Sequence, residues 1–168
     1  QKPAPFNTTS FTSAATSLGY SANAAMRIAE DLYMAGHISY PRTDNTVYPP
    51  SLEMREALEV LAQGEFAREV AQLLARPTLH ASRGDKRTTD HPPIYPTGSP
   101  RRGELGDREW RLYELVVRRF MATLSDDAVM ESNRVDVAIS GEPFVARGNR
   151  VVSAGWLEHY PYSRQKDL

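Results

Sequence analysis

The chain has 168 residues, 40% of them hydrophobic and 24% charged, with a net charge of −1 and no cysteine. That length and balance suit one ordinary globular domain, or one domain and part of another, and exclude a disordered tail; no apolar run approaches the roughly 18 to 20 residues of a membrane span. The lack of cysteine excludes disulfides and thiolate-held zinc and suits a cytoplasmic protein, while near-neutrality leaves any argument for nucleic acid to local basic clusters.

The opening Gln-Lys-Pro-Ala-Pro-Phe has neither an initiating Met nor a signal-peptide layout, so the chain is expected to be a segment of a longer polypeptide. Phe11, Ala14, Ala15 and Leu18 fall at helical spacing, which predicts a short helix over Thr8–Ser17 closed by Gly19. Ser21 is a cap for a second helix with the apolar stripe Ala25, Ile28, Ala29, Leu32 and Tyr33, ending at Gly36. Residues 37–40 read as a short extended piece, with Pro41 keeping Tyr40 out of the α conformation. Ser51 begins a third helix carrying Leu52, Ala57, Leu58 and Leu61; Gly64 breaks it, and Phe66, Val70, Leu73 and Leu74 continue as a fourth to about Arg76.

Residues 77–107 fit no regular element and hold Arg83, Lys86, Arg87, Arg101 and Arg102. Asp107 can cap a long helix with Leu112, Leu115, Val116, Phe120 and Leu124 inward and Arg108, Arg111, Arg118 and Arg119 on its other, solvated faces. The period then changes: Val135, Val137 and Ile139 alternate, 140–143 reads as a turn, and 144–147 and 150–153 flank a Gly-Asn turn, which together predict a β-meander. The expected class is α+β, mainly helical. A helical domain over 1–125 runs into the strand-rich start of an adjoining domain over 126–168.

Two stretches carry candidate chemistry. In Tyr40-Pro41-Arg42 the tyrosine is either a buried aromatic with a satisfied hydroxyl or a nucleophile; the latter needs its phenol, of ordinary pKa near 10, to lose a proton beside a fixed cation. Arg42, two residues on in an extended segment, shares its side and offers a planar donor pair to phosphate. Thr43, Asp44 and Asn45 can cap or bind the turn. In the stretch 88–97, Thr-Thr-Asp-His-Pro-Pro-Ile-Tyr-Pro-Thr, His91 is either a solvated imidazole in a Pro-rich loop or a donor to a phosphate oxygen.

The ordered set of stretches resembles the active-site region of type IA DNA topoisomerases. It comprises the Ala-Pro-Phe entry, two helices ending in Leu-Tyr-Met-Ala-Gly, Ile-Ser-Tyr-Pro-Arg-Thr-Asp, and Asp-His-Pro-Pro-Ile-Tyr-Pro-Thr in a form similar to archaeal members; the helix carrying Trp110, a strand with Asp136-Val137 and a later Gly155-Trp156 complete it. The resemblance covers nearly the whole chain. It implies that Tyr40 attacks a DNA phosphodiester and joins the 5′ phosphate of single-stranded DNA, that Arg42 positions the tyrosine and stabilises that phosphate, and that His91 contacts it. Thr43 and Asp44 match positions taken to support the loop, and Lys86 and Arg87 in the basic loop are expected to meet phosphates. Pro41 stands where other members have Met, and Asn45 where Ser is common.

The resemblance further implies Mg²⁺ bound by a Toprim domain, the remainder of the polypeptide being this chain's partner; the sequence offers no Asp-x-Asp pair with a separate Glu for such a site and no metal ligands are assigned in it. The implied parent is a monomer that cleaves one strand, passes another and reseals without ATP, relaxing negative supercoils, and the segment alone is expected to be inactive. Two rivals remain: a non-catalytic, winged-helix-like DNA-binding module using the Arg-rich helix, and an interaction domain whose helices only pack against partners.

Overall fold

A computed structural model of the chain describes residues 1–163; positions 164–168 of the expected second domain lie outside the described residues. Helix α1 spans Thr8–Ser17 and starts on a reciprocal cap, in which the Asn7 side chain accepts the Ser10 N–H and the Ser10 hydroxyl accepts the Asn7 N–H. Helix α2, Ala22–Met34, starts on the Ser21 hydroxyl, which accepts the Ala24 N–H at 3.2 Å. Gly19 and Gly36 follow these helices with φ of 93° and 79°, a conformation that a Cβ disfavours.

Helix α3 is Met54–Leu61, three residues shorter at its start than the sequence suggests. The Leu52 N–H bonds back to the Pro49 carbonyl, so the Pro-Pro turn consumes Ser51 and Leu52 before the helix begins. Helix α4 is Ala67–Leu74, and helix α5 is Asp107–Leu124. Gly106, not Asp107, is the N-cap of α5; Asp107 lies in the first turn, where its charge meets the positive end of the helix. The segment 77–107 is not wholly irregular, because Arg102–Glu104 forms a 3₁₀ turn with the Glu104 carboxylate accepting the Arg101 N–H.

The C-terminal half of α5 is the centre of the core. Val116, Val117, Phe120, Met121, Ala122 and Leu124 are all buried, so this helix is apolar nearly all round and touches α1, α2 and α4. Two of its arginines are not on a solvated face. The Arg119 guanidinium lies 4.4 Å from the Phe6 ring centre and 5.2 Å from that of Tyr160, and donates to the Ala4 carbonyl; Arg118 lies over Phe66. A stacked, hydrogen-bonded guanidinium satisfies itself against apolar surface, which helical periodicity alone does not reveal.

Strands β1, Val129–Ile139, and β2, Glu142–Ser153, form one antiparallel hairpin rather than a three-stranded meander. Its loop is Ser140-Gly141, with φ of 52° and 83°, the two positive values of a primed turn. That register places Gly148 opposite Asn133 and Asn149 opposite Ser132, so the expected Gly-Asn turn is simply part of the ladder. Every residue of both strands is exposed. At the hairpin base Gly155 takes φ of 49° where a Cβ would stand 2.5 Å from the Asp127 carbonyl oxygen, and the chain then returns to α5, with Tyr160 buried beside Phe6. The architecture is α+β.

Candidate active site

The segment after α2 makes one isolated bridge, Ile38 to Pro96, bends at Pro41, and alternates in burial from 39 to 45. Ser39, Pro41, Thr43 and Asn45 are buried; Tyr40 is half-buried, and Arg42 and Asp44 are exposed. A period of two therefore puts Tyr40, Arg42 and Asp44 on the outward face and the small or polar residues inward. Proline stiffens this bend, since Pro41 fixes its own φ and disfavours the α conformation at Tyr40.

The inward residues stitch this segment to its neighbours. Ser39 pairs with Tyr95 through both backbone and hydroxyl: its N–H donates to the Tyr95 carbonyl, and its Oγ accepts the Tyr95 N–H at 2.9 Å while donating to the Pro93 carbonyl at 3.0 Å. Thr43 exchanges bonds with Thr8 at the start of α1, and its hydroxyl accepts the Asn45 N–H and donates to the His91 carbonyl. The Asn45 amide donates to the Thr88 and His91 carbonyls at 3.0 and 3.1 Å and accepts the Val47 N–H at 2.9 Å. Thr46 and Lys86 close the far end with backbone and hydroxyl bonds.

These bonds bring the two sequence-distant stretches together. The Tyr40 and His91 rings lie 4.7 Å apart, tilted by 52°. Burial raises the Tyr95 phenol above its ordinary range. Thr43 spends its hydroxyl within the protein, whereas the Asp44 side chain is exposed and its carbonyl accepts the Asn7 amide at 3.4 Å. Lys86 and Arg87 are exposed at the rim, Lys86 tied to the tyrosine segment through Thr46.

Two contacts are absent from the sequence reading. Tyr33, counted there in an apolar stripe, is 40% exposed and packs edge-on to Tyr40 with ring centres 5.2 Å apart. Glu30 accepts the Arg42 Nε at 2.8 Å and lies 2.6 Å from its Nη2. Their spacing of three on α2 is a usable signal for a shared face, but nothing in the sequence says that this face meets the Tyr-Pro-Arg stretch. By contrast the arginines of α5 are committed elsewhere, Arg108 and Arg111 lying over Tyr20, and Arg118 and Arg119, half-buried, over Phe66 and Phe6.

A family model described as DNA topoisomerase matches residues 1–168. The chain belongs to the DNA topoisomerase family. It is 50% identical over 166 residues to DNA topoisomerase 1 of Archaeoglobus fulgidus, covering 99% of this chain and 25% of that protein. It is 41% identical over 162 residues to DNA topoisomerase 1 of Thermoplasma acidophilum, covering 96% and 21%. With DNA topoisomerase 3-beta-1 of Homo sapiens it shares 36% over 163 residues, covering 96% and 19%. These matches bear out the resemblance to the type IA topoisomerases, and the chain spans a quarter or less of the length of these curated relatives.

No group of three or more His, Asp or Glu side chains suited to a metal occurs among the described residues, and Glu30 is engaged by Arg42. Among the described residues no helix is long and apolar enough to cross a membrane.

Proposed function

We propose that this topoisomerase segment supplies the nucleophile and a phosphate-gripping cation for transient cleavage of single-stranded DNA. The observation that carries the reading is Tyr40 and Arg42 on alternate, outward positions either side of Pro41, with the His91 ring against Tyr40. The Tyr40 Oη gives up its proton and bonds to phosphorus; the bond from phosphorus to the 3′ oxygen breaks, and that oxygen takes up a proton. The products are a 5′-phosphotyrosine and a free 3′ hydroxyl. One phosphate diester replaces another, so the reverse attack reseals the strand without ATP.

Arg42 meets the charge that grows on the non-bridging oxygens, and the His91 imidazole donates to one of them. A planar guanidinium does this better than an ammonium because two parallel N–H groups fit two phosphate oxygens. Thr43 and Asp44 hold the loop, and Lys86 and Arg87 contact flanking phosphates. Mg²⁺, where the reaction uses it, is assigned to the remainder of a longer, monomeric, cytoplasmic polypeptide, in a Toprim domain, and the hairpin begins the neighbouring strand-rich domain of residues 126–168. Strand passage through the break between cleavage and resealing then relaxes negative supercoils. The segment alone is inactive on this reading.

The test uses the full-length protein, Mg²⁺ and a labelled single-stranded oligonucleotide, denatured and digested before peptide mass spectrometry. A nucleotide attached through its 5′ phosphate to the Tyr40 peptide, absent in Tyr40→Phe, is the expected result. DNA binding without any adduct at Tyr40 overturns the assignment and favours a binding module.

A further inference from the structure

One face of α2 bears on both outward side chains of the Tyr-Pro-Arg stretch, and the chemistry proposed above does not use it. Tyr33 packs edge-on to Tyr40, and Glu30, one turn earlier, takes the Arg42 guanidinium. The geometry of the second contact is specific. Nε and Nη2 both approach the same carboxylate oxygen, Oε1, at 2.8 and 2.6 Å. Those two groups form the edge of the guanidinium that grips a pair of phosphate oxygens, so an anion belonging to the protein already stands where a strand phosphate would bind.

The pair is also weak enough to open. The Arg42 and Glu30 side chains are 58% and 41% exposed, and an ion pair so open to water is worth only about two- to fivefold in an equilibrium. A buried pair would lock the arginine, and an arginine without a partner would wander through its rotamers. We infer that Glu30 is a positioning residue that holds Arg42 in reserve, orienting its donor edge and yielding it to a phosphate of the incoming strand. The inference rests on the reading of Arg42 as a phosphate ligand. Binding is then an exchange of one anion for another, which makes the resting site neutral at Arg42 and lowers its affinity for any polyanion that does not reach the guanidinium edge.

The test is a binding titration with the full-length protein carrying Tyr40→Phe, which cannot form the adduct, and a fluorescent single-stranded oligonucleotide at several KCl concentrations. Glu30→Gln is expected to tighten binding about two- to fivefold at low salt and to steepen the dependence of log K on log salt by up to about 0.7, the contribution of one single-strand phosphate contact. Asp31→Asn removes the same charge one residue away, from an exposed position of the same helix, and is expected to change little. With Arg42→Ala as background the gain from Glu30→Gln should vanish, and Glu30→Asp should restore most of the original affinity. Equal shifts from Glu30→Gln and Asp31→Asn, a gain that survives loss of Arg42, or weaker binding by Glu30→Gln each overturn the inference. Failure of the Tyr40 adduct alongside intact Glu30–Arg42 coupling overturns the nucleophile instead and leaves the reserve role standing.

Discussion

Replacing Asn45 by Ala should loosen the histidine loop from the tyrosine segment without altering any side chain proposed to act on DNA. Asn45 is 3% exposed, and its amide orientation is fixed by its surroundings, since two carbonyls face Nδ2 and one N–H faces Oδ1. Three hydrogen bonds disappear in the Ala variant, each worth about 1 kcal/mol net, and the stranded Thr88 carbonyl and Val47 N–H must find water. His91 keeps one acceptor bond, from Thr43. The local stitch should therefore weaken by about 3 kcal/mol, which is roughly two orders of magnitude in the opening equilibrium. Amide hydrogen exchange read by mass spectrometry on the full-length protein should show that acceleration in peptides covering 43–47 and 86–94, with those of α5 unchanged. Adduct formation at Tyr40 should fall while oligonucleotide binding stays within about twofold. Asn45→Asp sharpens the test: it keeps the bond from Val47 but turns an anion toward two carbonyl oxygens, so it should open the loop at least as much as Ala. Exchange accelerated less than about tenfold in Asn45→Ala, or accelerated evenly through α5, would refute the idea that this amide is a principal tie between the loops.

Gly98→Ala should be costly, because the new Cβ would lie 2.6 Å from the Gly36 carbonyl oxygen and 3.4 Å from the His37 Cα, both backbone atoms; a loss of about 1–3 kcal/mol, seen as a lower denaturation midpoint, is expected. Phe120→Ala removes a fully buried ring from the centre of α5 and should cost about 3–5 kcal/mol, read as a large fall in the unfolding temperature of this segment. His159 is buried and desolvation lowers its pKa below the ordinary value, so the unfolded chain binds its proton more readily than the folded one. Stability should be intact above about pH 6.5, fall as pH drops from there toward the lowered folded pKa, and level off beneath it. Denaturation midpoints measured across that window should slope in the native protein and flatten in His159→Gln.

The helices were legible where local chemistry and burial agree. Ser21 and Gly36 bracket α2 as cap and stop, and the stripe of Ala25, Ile28, Ala29 and Leu32 is the face that is buried. Legibility failed where a residue's partner is far along the chain. Arg118 and Arg119 have the spacing of a solvated face, yet Phe66, Phe6 and Tyr160 come from three other segments to cover them. Gly148-Asn149 is a good turn by composition, but Ser140-Gly141 is a better primed turn, and once it sets the register the later pair has ladder partners. Tyr40, Arg42 and His91 were accessible to sequence as a set of residue types, and Glu30 was not, because an ion pair between a helix face and a loop leaves no mark in either segment's spacing.

The alternation of residues 39–45 explains how an open site keeps its shape. On the proposed reading Tyr40, Arg42 and His91 meet a DNA strand, and contacts at this open surface, such as the Glu30–Arg42 pair, order them only weakly in water. The ordering comes from the alternate residues, whose hydrogen bonds lie inward where an unmade bond is expensive. Ser39 fixes the tyrosine end against Pro93 and Tyr95, Thr43 fixes the arginine end against Thr8, and Asn45 ties that end to the histidine loop. The alternation suits this division of labour, because it sets the outward Tyr40 and Arg42 among the inward anchors Ser39, Thr43 and Asn45. Loss of an inward anchor should consequently resemble loss of chemistry rather than loss of binding, which is the distinction that adduct yield and oligonucleotide affinity, measured on the same variant, separate.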